Sequence, residues 1–213
     1  MPQILVMLRS TDTEYSPAEL LFGSVPLLAG PDLPLPTGLS STASSSHVLS
    51  MAEAALRIGD FSECSRLISR AMRRFLEEGR SLTAQEWLLL AGLSLLNGDH
   101  ESCEHRLNMA TRSLQRIPTA STRDLLHQRI TIIKALKLGL SAPDDGLQEI
   151  LEVFRFLAVR HCPELCHQAM EVRNVLLKWQ SSEFITVVSS AQSGAITLPL
   201  THRRKGLANP EWN

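Results

Sequence analysis

The cluster best placed for metal chemistry is His161-Cys162-Pro163-Glu164-Leu165-Cys166-His167, with two imidazoles and two thiols in one short run. Structural zinc needs four ligands converging tetrahedrally. Thiols four apart on a helix supply one edge of such a tetrahedron, His161 precedes the helix that Pro163 opens, and His167 adjoins Cys166 on another face. No metal site is therefore expected, and the two thiols read as buried or half-buried packing groups. Cys64 and Cys103 could act as nucleophiles only beside a placed base. His105 follows Cys103 by two positions and points elsewhere on a helix, and His100 takes the place that Phe61 fills one repeat earlier, which suits a packing aromatic. The chain has no G-x-G-x-x-G, G-K-[ST] or H-E-x-x-H motif. Catalytic residues, cofactors and metals are all expected to be absent, and the chain is not expected to be an enzyme.

Composition narrows the alternatives. The 213 residues carry 21 basic and 22 acidic side chains, a net charge of -1, with 44% hydrophobic and 20% charged content. That balance suits a soluble globular chain and gives no global field towards nucleic acid or an acidic membrane. Arg66, Arg70, Arg73 and Arg74 form a basic stripe, but Glu63, Glu77 and Glu78 lie beside it and intrahelical pairing is expected. The His202-Arg203-Arg204-Lys205 cluster reads as solvated tail. Ile4 to Leu8 is too short for a signal-peptide core, and Trp87 to Leu96 too short for a membrane span. A reducing intracellular location, cytoplasmic or nuclear, with four free thiols is expected.

The elements that must position these residues follow from capping and periodicity. Ser16-Pro17-Ala18-Glu19 is a capping box with proline at the first helical position, and Gly23 is placed to end a short helix from Pro17 to Phe22. Pro26, Pro31, Pro34 and Pro36, then the Ser/Thr/Ala run Ser40 to Ser46, make residues 24–46 a disordered linker. From Val48 the pattern is helical. LRIGDFSEC, Leu56 to Cys64, recurs as LLNGDHESC, Leu95 to Cys103, with an offset of 39. Leu49, Ala52, Gly59, Asp60, Ile68, Ala71 and Phe75 align likewise with Leu88, Ala91, Gly98, Asp99, Leu107, Ala110 and Leu114. In each unit Gly ends a first helix in the left-handed conformation and Asp caps a second.

A degenerate third unit is expected, with helices Thr122 to Leu140 and Asp145 to Val159. Its second helix shows Leu147, Ile150, Leu151, Phe154 and Leu157 as its apolar face. A capping helix follows from Pro163 to about Trp179, burying Leu165, Met170, Val172, Leu176 and Leu177. Phe184 to Val188 is β-prone, isolated and unassigned. The chain therefore divides into a short helical segment 1–23, the linker 24–46, a helical repeat domain 47–180 and a mostly disordered tail 181–213.

Two resemblances follow from these residues. The small Ala52, Ala71, Ala91 and Ala110 and the turns Gly59-Asp60 and Gly98-Asp99 resemble tetratricopeptide repeats. The period departs from that family's 34, and the expected closing proline is missing. The implied fold is an all-α solenoid of two clear hairpins, one degenerate hairpin and a cap. Separately, Met7 to Gly23, MLRSTDTEYSPAELLFG, is similar to the end of the catalytic domain of gypsy-type retroelement integrases. The two Asp and one Glu that hold Mg²⁺ in those enzymes would lie upstream of Met1, so the resemblance implies residual nucleic-acid association at most and no integrase activity.

The tetratricopeptide register implies that first helices line a groove, with Leu49, Glu53 and Leu56, then Gln85, Leu88, Gly92 and Leu95, then Ile132 and Leu136 facing it. Such a leucine row must be covered, by the protein's own N- or C-terminal segment, by a missing neighbouring repeat, or by an amphipathic helix or apolar peptide of a protein partner. The expected function is a non-catalytic protein-binding scaffold with Leu49, Leu88 and Leu95 as anchors. No small-molecule substrate, nucleic acid or membrane is expected as partner.

Overall fold

The computed structural model describes residues 16–28 and 44–192, with side chains as far as Ser181. The expectations for Ile4 to Leu8, for the integrase-like residues 7–15, for linker residues 29–43 and for the tail beyond 192, His202 to Lys205 included, lie outside the described residues. The chain divides into a unit of residues 1–180 and a unit of residues 181–213. Among the described residues helices are the sole regular elements: α1 Pro17–Phe22, α2 Ser45–Arg57, α3 Phe61–Glu78, α4 Ala84–Leu96, α5 His100–Leu114, α6 Ala120–Gly139, α7 Pro143–Val159 and α8 Pro163–Gln192.

The 39-residue echo is a repeated hairpin, and the same atoms make both copies. At the end of α2 the Gly59 N–H donates to the Leu56 carbonyl and the Asp60 N–H to the Ala55 carbonyl; at the end of α4 Gly98 donates to Leu95 and Asp99 to Ser94. Gly59 and Gly98 have φ of 82° and 76°, so this is the Schellman closure that glycine permits. Each Asp then accepts from the backbone three residues on, Asp60 from Glu63 and Asp99 from Ser102, and starts the second helix. The first helices begin alike too. Ser44 caps α2 and Thr83 caps α4, again 39 apart, and Thr83 completes a capping box with Glu86.

Packing follows chain order. The helices α2 and α3, α4 and α5, and α6 and α7 pair as hairpins, while the first helices touch in succession, α2 with α4 and α4 with α6. These hairpins stack as an all-α solenoid. The central α4 is buried continuously from Leu88 to Leu96, so it is apolar all round instead of showing a stripe.

The third hairpin closes through small residues. A Cβ on Gly146 would stand 2.7 Å from the Ala135 carbonyl and 2.9 Å from the Gly139 Cα, so α6 and α7 touch backbone to backbone there. Of the expected apolar face of α7, Ile150 is buried and Leu147, Phe154 and Leu157 pack on the core, with Gly146 and Val153 buried beside them, while Leu151 is exposed. On α8 the buried apolar residues are Leu165, Ala169, Val172, Val175, Leu176 and Trp179, with Gln168 buried beside them, whereas Met170, expected inside, is exposed. The helix also continues past the expected end to Gln192, taking in Phe184 to Val188.

Candidate functional site

The first-helix face is occupied by the chain's own α1. That helix packs against α2, α4 and α6, and Leu20, Leu21 and Phe22 are among the most completely buried side chains of the chain. The short helix forms for local reasons. The Ser16 hydroxyl accepts from the Glu19 N–H, the Glu19 carboxylate accepts from the Ser16 N–H, and Pro17 supplies the first-turn φ. It ends at Gly23, whose φ is 76° and whose N–H donates to the Glu19 carbonyl. The tip of the Phe22 ring reaches the bare backbone of Gly92, where an added Cβ would stand 2.4 Å from Cζ.

Beyond α1 the chain is held by its main chain. The Arg57 guanidinium donates to the carbonyls of Gly23 at 2.9 Å, Ser24 at 3.3 Å and Val25 at 2.9 Å. The Glu53 carboxylate accepts from the N–H groups of Leu27 at 2.6 Å and Leu28 at 2.8 Å, and Ser50 donates to the Leu28 carbonyl at 3.2 Å. From α8, Gln168 donates to the Leu20 carbonyl at 3.0 Å. Glu53 and Arg57, four apart on α2, also pair with each other at 2.9 Å. Ser24 to Leu28, expected to be linker, are thus fixed along α2, because a buried carboxylate and a guanidinium satisfy peptide groups that water would otherwise solvate.

The residues expected to line an open groove are placed otherwise. Leu49, Leu56, Leu88, Leu95, Ile132 and Leu136 lie inside the continuous apolar core at 0–2% exposure. Glu53 is 1% exposed with its oxygens committed to Leu27, Leu28 and Arg57, and only Gln85 is half-buried. None of the leucines is a free anchor. The physical reason is that α1 lies on the helices that carry them, and the apolar patch whose exposure would be costly is already covered. Neither the Glu53/Arg57 clamp nor Gln168 was found from sequence, since an i,i+4 ion pair reads as an ordinary surface pair. The signal for the Phe22 seat was Gly92, a glycine inside an apolar helix, which marks a close approach.

Two charged centres lie close to this face. Arg80 bonds Glu86 at 2.6 Å and Glu78 at 3.2 Å, reaches Ser45 and Ser46 at the start of α2, and sits 4.2 Å over the Phe75 ring. Burial alone would raise the Glu86 carboxyl; hydrogen bonds from Arg80, Thr83 and Ser46 outweigh it and hold the group below its ordinary value. On α6, Arg129 is lowered chiefly by burial, against the opposing charges of Glu164 and Glu53, and its Nε has no hydrogen-bond partner.

The chemical candidates separate in space. Cys64 and Cys103 are buried, and desolvation pushes the first thiol up to about 12 and the second to about 11. Cys162 is half-buried, Cys166 is exposed instead of packed, and His161, His167 and His100 are exposed, so His100 does not replace Phe61 in the packing. Among the described residues no group of three or more His, Cys, Asp and Glu could hold a metal ion, and no helix is long and apolar enough to cross a membrane. No protein-family model matches the chain, and no curated protein or solved structure matches it.

Proposed function

We propose that the chain is a non-catalytic scaffold that binds a segment of a protein partner on the face of its first helices. The observation that supports this reading is the way residues 16–28 lie there: a short helix buries Leu20, Leu21 and Phe22, and side chains of α2 and α8 hold the main chain on either side of Gly23. Recognition through peptide groups is how protein surfaces take up extended segments of other chains, with pockets for particular side chains adding selectivity. Helical repeat arrays are suited to it because stacked hairpins form a rigid surface that needs no ordering on binding.

The test is a peptide-display selection against the full chain carrying Phe22→Asp, checked by circular dichroism for retained helix. Leu21→Ala serves as a second variant, because it loosens the segment without placing charge in the core and leaves Glu53 and Arg57 in place. Enriched peptides that bind both variants and are displaced by a peptide of residues 16–28 support the reading. If folded variants enrich no peptide, the scaffold reading fails.

A further inference from the structure

Resting on that reading, the geometry points to the class of segment that the first-helix face takes from a partner protein. It is a short N-capped helix ending in an aromatic residue and a glycine, followed by about five non-helical residues that close on two apolar side chains. Each part answers a feature already in place. The ring socket is the missing side chain of Gly92, since Phe22 fills the space that any Cβ there would take. The glycine is needed because position 23 has φ of 76° and a Cβ there would meet the Gln168 Oε1 at 3.2 Å. The non-helical residues are held through their peptide groups by Arg57, Glu53 and Ser50, with Leu27 buried and Leu28 packed on the core, so that side chains are free to vary only at the exposed positions 24 to 26.

The resident segment is then a competitor in cis. It is joined to α2 by the 15 residues 29–43. A short tether of that kind holds a ligand at an effective concentration on the order of millimolar. A partner segment of equal intrinsic affinity must overcome that advantage, so cutting the tether should open the site to competition.

The experiment uses the full chain with a specific protease site placed within residues 29–43, and a fluorescent peptide of residues 16–28 as probe. After cutting, the probe is expected to exchange into the body and bind at least tenfold more tightly than to the uncut chain. Phe22→Ala in the probe, or Gly92→Ala in the body, should weaken it at least tenfold. Three results would overturn the inference: a body that loses its helix when the cut segment leaves, equal binding by the cut and uncut chains, or a concentration-dependent dimer of the uncut chain that exchanges the segment between copies. The display selection separates the two levels. Peptides that bind without an aromatic-glycine step sink this inference and leave the scaffold reading standing.

Discussion

The ring of Phe22 and the backbone of Gly92 occupy one site: a Cβ on the glycine would stand 2.4 Å from Cζ and 2.7 Å from Cε1 of the ring. The residues are 70 positions apart in the chain, and each makes sense only with the other in place.

Gly92→Ala should therefore destabilise the protein by about 1–3 kcal/mol through overpacking, despite the helix propensity that alanine adds. Phe22→Ala should cost about 3–5 kcal/mol. The double variant should lose at least ~1 kcal/mol less than the sum, because the methyl then enters vacated space. Urea denaturation of the four proteins measures the coupling, and strict additivity would contradict the contact.

Glu53→Ala leaves the Leu27 and Leu28 N–H groups without their acceptor and Arg57 without its pair. Loss of one partner of a buried pair costs about 3–5 kcal/mol, and that range is expected here. Hydrogen exchange should rise first over residues 23–28. Protection unchanged there would show that the clamp does not hold the segment.

Acid should loosen the junction of α2 and α4. The Glu86 and Glu78 carboxyls are lowered from 4.5 in the folded protein, Glu86 against its own burial and Glu78 mainly by hydrogen bonds from Ser45. A lowered folded value means stability present above the unfolded value and lost as pH falls through the folded one. Tm should thus be flat from pH 7 to about 5 and fall below about 4.5. Glu86→Gln should lower Tm at neutral pH and flatten that acid limb; an unchanged acid limb would remove Glu86 from the account.

Thiol reagents should divide the cysteines into two classes. Cys166 is exposed and Cys162 half-buried, whereas Cys64 and Cys103 are buried with thiols pushed up to about 12 and about 11. At pH 8 the first pair should react in the native protein and the second only on unfolding. Labelling of Cys64 in the native protein at the rate seen for Cys166 would mean that the α2–α3 hairpin opens locally.

The hairpins were legible because their signals are local. Gly59-Asp60 and Gly98-Asp99 carry both the end of one helix and the start of the next, and Ser16 with Glu19 announced α1 to the residue. The Ser44 cap was legible in principle, standing 39 before Thr83, but it is hidden in a serine-rich run whose composition suggests disorder. The destination of α1 was legible only as one of the alternative covers for the leucine face, a terminal segment of the chain itself, and its particular contacts were not. A run of Leu20-Leu21-Phe22 requires burial without saying against what, and the long-range partners Gly92 and Gln168 differ from neighbouring residues only once the fold is formed. On α7 the apolar face was legible except at Leu151, whereas the crossing was not, because Gly146, with no side chain of its own, admits the backbone of α6.

The Gln168 bond to the Leu20 carbonyl joins residues 148 apart, in a stack whose hairpins otherwise pair with the next in the chain except where α1 lies on them. Stacked repeats ordinarily unravel one unit at a time, since each touches only the next. Here one short helix leans on α2, α4 and α6 and is fastened to α8, so the array has a keystone. Melting followed at the two ends should show a single cooperative transition while residues 16–28 are in place, and staggered transitions once they are displaced.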